Sequence, residues 1–392
     1  MLTAICNGRI VTENIILDGK VLLIEDERIL DIVDENKYDG GAWEVDAEGN
    51  YVIPGLIDTH SDMIELLIQP RPNTTIDFEI ALKEAEKQLI NQGITTMYHS
   101  ISLYTDTTFG PNKMRTLPNV KKLLDLIASL NLRAHLIHHC VHLRYEIENV
   151  EALEFVREMV ESKKIHEISF MDHTPGQGQY KDMNIYRETV MAYNKGNMDD
   201  QKFSKILEHH TQKQVVTVED LKEIAKLAKQ NNIPVASHDD DCLEKLVMNE
   251  TLGVEISEFP ITIEVAKEAE KRGFLTSVGA PNVLRGVSHS GNLSAQEAIL
   301  NHSADILCSD YYPPAMLHAV FKMHDEFGVD LCEMVRLVTS NPAKAMKIDD
   351  DYGSIAPGKK ADIVFVEVLD GYPVVTNVFV HGRSAAKLAY GR

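Results

Sequence analysis

Apolar and polar positions along the chain fall into two regimes. Residues 1–52 alternate over short stretches, as strands do. Ala4–Val11 reads as strand with a turn signal at Asn7-Gly8, and Val21–Ile32 reads as two strands across an acidic turn. From about residue 53, strand-like runs alternate with helical spacing. Strands are predicted at Val52–Thr59, Ile94–Ser100, Ala134–Glu146, Glu167–Asp172, Pro234–His238, Val254–Phe259, Leu275–Gly279 and Asp305–Asp310. Helical spacing marks Ile80–Asn91, Val120–Ser129, Val150–Ser162, Val218–Gln230 and Ile263–Arg272. Several helices end on turn residues such as Gly93, Asn131 or Gly273. After Asn341-Pro342 the helical pattern stops; a turn from Gly353 leads into a strand ending at Val366, and Val374–His381 is another.

Strands alternating with helices predict parallel βα units. Eight of them over about 300 residues predict an α/β fold, a (β/α)₈ TIM barrel. The competing doubly wound sheet lacks its Gly-x-Gly-x-x-Gly after the first strand. Short strands at both ends predict a small β-sandwich domain built from both chain termini, residues 1–52 plus 352–392, flanking a barrel over 53–351.

Composition narrows the function classes. The 392 residues suffice for one large domain plus a small one. No apolar run approaches the ~20 residues of a membrane span. No basic segment followed by an apolar core opens the chain, so no signal peptide is expected. The five cysteines are scattered, without a Cys-x-x-Cys pair, which predicts a reducing, cytoplasmic location and argues against a disulfide framework or a zinc ribbon. A net charge of −21 without a basic patch excludes nucleic acid as a partner. It would also repel an anionic small substrate, so any such substrate needs local positive charge.

In a (β/α)₈ barrel, function collects at the C-terminal strand ends. Read in order, those ends carry His60 and Asp62; His99; His142 through Glu146; Asp172-His173; His238 through Asp241; Glu258; Asn282, with Arg285 and His289 downstream; and Asp310. His60 and Asp62, two apart in an extended segment, are expected to share one side. Imidazole and carboxylate at nearly every strand end point to a metal-dependent hydrolase. His135, His138 and His139 lie in an apolar run and fit core histidines. Asp239, Asp240 and Asp241 fit a solvated acidic turn as well as a substrate contact. Arg71, Arg144, Lys181 and Arg285 lie near strand ends or their loops and fit either surface ion pairs or phosphate contacts, for which arginine's fork is suited. Arg285 is favoured, because Gly279, Gly286 and Gly291 let backbone approach a phosphate.

Pro54-Gly-Leu-Ile-Asp-x-His60, Ser309-Asp310, Thr339-Ser-Asn-Pro-Ala343 and Gly353-Ser-Ile-Ala-Pro-Gly-Lys-x-Ala-Asp-Ile363 resemble the amidohydrolase superfamily nearly end to end. A narrower resemblance, to the PhnM branch, rests on His60-Ser-Asp-Met-Ile-Glu65 with Pro70-Arg-Pro72, His142-Leu-Arg-Tyr-Glu146, Phe170 through Tyr180, Ala236-Ser-His-Asp-Asp240 and Gly279 through Asn292. The resemblance implies a metal-dependent hydrolase of phosphonate metabolism that cleaves alpha-D-ribose 1-methylphosphonate 5-triphosphate to the 5-phosphate and pyrophosphate. Two departures from the superfamily pattern stand out. Asp62 replaces the second His of His-x-His, and no lysine ends the fourth strand, which leaves Glu146 as the bridging carboxylate.

The resemblance implies one or two divalent ions, Zn²⁺ with Mn²⁺ or Fe²⁺ as alternatives, held by His60, Asp62, Glu146, His173 and His238. Asp310 is then the catalytic base. Arg285, Arg144, Arg71, Lys181, Asn282, His289 and Asp239 are the expected substrate contacts. The expected partner is a small phosphorylated molecule, with no membrane and a homo-oligomer left open. The alternatives are hydrolysis of a cyclic or N-acyl amide, and a non-catalytic scaffold; the second would require ligands to be missing.

Overall fold

The computed structural model describes residues 1–71, 73–104, 113–176, 178, 183–193, 203–204, 206–208, 214–288 and 292–391. Seven strands come first: β1 (Leu2–Cys6), β2 (Arg9–Val11), β3 (Ile16–Leu17), β4 (Lys20–Glu25), β5 (Arg28–Asp34), β6 (Trp43–Asp46) and β7 (Tyr51–Pro54). Eight more alternate with helices: β8 (Leu56–Ser61), β9 (Ile94–Leu103), β10 (His138–Glu146), β11 (Glu167–Met171), β12 (Val235–His238), β13 (Ile256–Glu258), β14 (Leu275–Gly279) and β15 (Ile306–Cys308). The chain closes with β16 (Ile363–Leu369), β17 (Tyr372–Val380) and β18 (Arg383–Lys387).

Strands β8 to β15 form one parallel sheet in sequence order. Its two edges meet: Ser61 bridges Asp310, the Asp310 amide donates to the His60 carbonyl at 2.9 Å, and the Asp62 amide donates to the Asp310 carbonyl at 2.7 Å. The sheet is thus the expected (β/α)₈ barrel, and its seam runs through three of the site residues picked from sequence. Among the intervening helices, Val218–Gln230 and Ile263–Lys271 follow their sequence patterns closely. Both open on a threonine, Thr217 or Thr262, whose hydroxyl accepts a first-turn amide. No helix among the described residues is long and apolar enough to cross a membrane.

The terminal strands make two sheets, β5-β4-β1-β6 and β18-β17-β16-β7-β2-β3. Ile5, Leu22, Ile24 and Ile29 of the first pack on Val52, Ile363, Phe365 and Phe379 of the second. The intervening residues Ile53, Val364, Val366 and Val378 point the other way and join the barrel's core. Period-two alternation thus places one six-stranded sheet between two apolar layers.

The run expected as a single strand over Val52–Thr59 divides at Gly55. β7 pairs with β16 and β2, whereas β8 pairs with β9. A Cβ at Gly55 would lie 2.2 Å from the Thr95 hydroxyl oxygen, so only glycine lets the chain pass between the sheets there. The third barrel strand begins at His138 rather than Ala134.

Inside the barrel, polarity changes along the strands. Ile57, Tyr98, Ala236, Ile256 and Ile306 pack with Ala343, Ala345 and Met346, beside the short helix Ser340–Ala345, and close the N-terminal end. Two positions further along β12 and β13, the same face carries His238 and Glu258.

Candidate metal centre

The site begins at a bulge. Between Asp58 and Ser61, β8 holds one more residue than β9 opposite it. Bulges of this kind re-aim side chains. The extra residue breaks the parity on which the shared side of His60 and Asp62 was expected. His60 turns to Glu258, with Nδ1 2.8 Å from Oε1 and both side chains buried. Asp62 has left the strand and stands at the head of the helix Met63–Ile68, with φ −81° and ψ 1°. There Arg144 donates to both its oxygens, at 2.9 and 3.2 Å. Burial pushes the Asp62 carboxyl up, but Arg144, ahead of His60 and Arg115, reverses this and holds it below its ordinary range.

His238 sits across from His60, with ring centroids 5.7 Å apart, and both rings contact Phe259 at 5.0–5.1 Å. Its Nδ1 meets the Asp239 carboxylate at 2.7 Å. That contact leaves Nε2 buried without a hydrogen-bond partner, and Glu258 Oε2 is likewise unmatched. Buried polar atoms without partners are costly and rare, and two on residues of one cluster call for a ligand. His60, His238 and Glu258 each place a donor atom within 4.8 Å of the others, a His₂-carboxylate set suited to a divalent transition metal. The residues present therefore fit such an ion.

Deeper in the barrel, His142 lies 3.6 Å from Glu258 and 3.5 Å from Glu167, and Nε2 meets the Ser169 hydroxyl at 2.9 Å. Burial pushes the His142 imidazole down to about 3. Burial, with the charge of Glu258 adding to it, pushes the Glu167 carboxyl well up. Burial would also raise Glu258, but His142 and His60 outweigh it and hold the carboxylate ionised. For His60, burial disfavours the charged ring, and Glu258 reverses this and raises its pKa.

The sequence-predicted residues thus fall into linked pairs. His60 and His238 come together around Glu258. Glu146 and His173 pair at 2.8 Å. Burial would lower the His173 pKa, but the Glu146 charge raises it, with Asp239 adding to the effect. Arg144 pairs with Asp62 and also feels Glu146, Glu258 and Glu65. Its Nε is buried without a partner. Asp310 adopts a left-handed backbone, φ 57°, and its carboxylate lies by Gly279, where an added Cβ would come within 3.5 Å of Oδ2. Asn282 is buried with Oδ1 unmatched in the short helix Ala280–Arg285. Arg285 is exposed at its end, and Arg71 is exposed beside Thr74. Lys181 and His289 lie outside the described residues.

Asp240, expected as part of an acidic turn, is fully buried. It accepts from Ser237 and Ser257 hydroxyls at 2.6 Å and from Asn249 at 2.8 Å, tying β12 to β13. Glu258 was visible as the end of the sixth strand but was absent from the expected ligand set. Its signal is the two-residue step from Ile256, which keeps it on the interior face. Arg115, which donates to Glu65 at 3.0 Å, carries no sequence signal, because its partner is 50 residues away.

A model of the Amidohydrolase family matches residues 51–385. The chain is 32% identical to the alpha-D-ribose 1-methylphosphonate 5-triphosphate diphosphatase of Escherichia coli, over 86% of this chain and 89% of that protein. It is 34% identical to an adenine deaminase of Clostridium botulinum over 89 residues, 21% of this chain and 15% of that one. Among solved structures, N-acetylglucosamine-6-phosphate deacetylase from Pasteurella multocida superposes with a TM-score of 0.64 at 13% identity, covering 98% of this chain and 99% of that one. The end-to-end match and the barrel bearing histidines and carboxylates at its strand ends place this chain in the amidohydrolase family.

Proposed function

We propose that the protein hydrolyses alpha-D-ribose 1-methylphosphonate 5-triphosphate to the 5-phosphate and pyrophosphate. The observation that carries this reading is the 32% identity to the Escherichia coli diphosphatase across nearly the whole chain. It is supported by a buried His60–His238–Glu258 cluster whose donor atoms, within 4.8 Å of one another, suit a divalent cation. Glu146 with His173, and Asp62 through a movement of Arg144, complete the proposed ligand set. A divalent ion held there would lower the pKa of water towards neutrality and offset phosphoryl charge.

The chain's own residues do the rest. Asp310 accepts the proton of the attacking water as the new P–O bond forms at either side of the α–β bridge, and returns it to the bridging oxygen as its bond to that phosphorus breaks. Its backbone is hydrogen-bonded to those of His60 and Asp62, which supports this role. Arg144 offers its unmatched Nε to a phosphate oxygen. Arg285, Arg71, Lys181, Asn282, His289 and Asp239 are assigned to substrate contacts around it. Local cations thereby counter the global charge of −21.

Turnover of the ribosyl triphosphate by metal-replete wild type and Asp310→Asn, with bound metal quantified, tests the reading. The variant should retain metal and lose about 10²–10⁴-fold in rate. Equal rates would remove Asp310 from its role. Absence of turnover by metal-loaded wild type, with release of acid or ammonia from amides instead, would replace the substrate.

A further inference from the structure

At the opposite end of the barrel, three metal-ligating side chains converge from separate elements. His138 opens β10, Asp362 precedes β16, and His381 follows β17. Their donor atoms all lie within 4.8 Å of one another. β10 runs four residues from His138 to His142, which lies 3.6 Å from Glu258, so at ~3.3 Å each this cluster stands about 13 Å along the strand from the proposed catalytic centre. Neither the hydrolysis nor its ligands make use of it.

We propose that His138, Asp362 and His381 form a second divalent transition-metal site, which ties the third barrel strand to the C-terminal sheet. Three observations carry this. First, the donor set is two imidazoles and a carboxylate, the chemistry that suits Zn²⁺ or Co²⁺ rather than Mg²⁺. Second, the geometry is held in advance. His138 Nε2 lies 2.9 Å from Asp362 Oδ2, while the other carboxylate oxygen is fixed by the His381 amide at 2.8 Å. Donor atoms on one tetrahedral ion at about 2.0 Å stand about 3.3 Å apart, so the His138–Asp362 pair needs to open by only a few tenths of an ångström, while the His381 donor lies within 4.8 Å of both. The His138 and His381 rings are already 4.5 Å apart, centroid to centroid, and the Tyr352 hydroxyl meets His381 Nε2 at 3.0 Å, giving an outer partner.

Third, the cluster is reachable. His381 lines a cavity of about 930 Å³ that also holds His135, Glu27 and Asp26. Glu27 comes within 3.9 Å of His381 Nδ1, and the His135 ring centroid is 6.2 Å from that of His138. The cavity thus brings negative charge and a further imidazole to the same place.

The test uses full-length protein stripped with a chelator and titrated with Co²⁺ alone, following bound equivalents by dialysis and the visible ligand-field bands. Wild type should bind one equivalent more than His381→Ala, His138→Gln or Asp362→Asn, with at least about 100-fold weaker binding of that equivalent in each variant. His381→Ala, at a partly exposed position, keeps the test valid if His138→Gln does not fold. Its hydrolytic rate should match wild type. Equal equivalents in wild type and His381→Ala would overturn the proposal. So would loss of the extra equivalent together with hydrolysis, because the metal would then belong to the catalytic centre.

Discussion

Replacing Glu258 with glutamine removes one charge from the centre of the barrel while changing almost no volume. In the metal-free protein this carboxylate has one hydrogen-bonding contact, His60 at 2.8 Å, and its second oxygen is buried without a partner. Leaving such a group unmatched costs about 1–3 kcal/mol. The pairing with His60 that holds the Glu258 pKa below its ordinary range is lost as well, so metal-free Glu258→Gln should be less stable than wild type at pH 7, with relief of the unmatched oxygen offsetting part of the loss. Metal should widen the difference. An ion at a thousand times its dissociation constant stabilises the folded state by ~4.1 kcal/mol. Loss of a ligand that weakens binding about 100-fold would leave about 1.4 kcal/mol of that, a deficit of about 2.7 kcal/mol. For a chain of 392 residues this corresponds to a smaller metal-induced rise in Tm by about 3 °C. Urea and thermal unfolding with and without Zn²⁺ would measure both halves. If wild type and variant gain equally from metal, Glu258 is not a ligand. If the metal-free variant is as stable as wild type or more so, the pairing of Glu258 with His60 does not support the fold.

Two further expectations concern the frame around the site. Burial pushes the Glu86 carboxyl up, but His139, the Leu136 amide and Lys83 outweigh it and hold it at about 2, against an ordinary 4.5. A lowered folded-state value means stability that is complete above pH 4.5 and lost as pH falls towards 2, at most about 3 kcal/mol. Glu86→Gln should be less stable than wild type at pH 7, with the gap narrowing below pH 4.5; an unchanged gap at pH 3 in denaturant titrations would refute the pairing. Gly55→Ala would press a methyl to 2.2 Å from the Thr95 side chain, so it should cost about 3 kcal/mol, at the upper end for overpacking. Far-UV melting of this variant at wild-type temperature would show that the neighbouring sheets yield more easily than the contact distances imply.

The strand ends were legible because a parallel barrel repeats one unit, and each unit announces itself by an apolar run followed by a polar residue. His60, His238 and Asp310 follow from that repetition alone. What was hidden depended on local departures from regular geometry. The bulge at Asp58–Ser61 and the helical turn at Asp62 break the two-residue parity, so Asp62 meets Arg144 rather than standing beside His60. Glu258 could be placed on the right face, but its role as a ligand needs the distance to His238, which no spacing in sequence encodes. Asp240, next to two other aspartates, fitted a solvated turn as well as a substrate contact, whereas the turn after β12 buries it against Ser237 and Ser257. His138 resembled a core histidine, because the residues that meet it, Asp362 and His381, lie more than two hundred positions away.

The barrel seam has a consequence for how the protein comes into being. Ser61 and Asp310 are neighbours across that seam but are made far apart in time on the ribosome. Residues 1–309 can assemble βα units one after another, each packing on the last, yet the closing edge waits for Asp310 to emerge. β7 waits longer, since its partner β16 begins at Ile363. A nascent chain therefore carries most of the proposed metal ligands before it carries a closed barrel or the proposed base. Chains truncated before Asp310 should accordingly show no turnover of the proposed substrate.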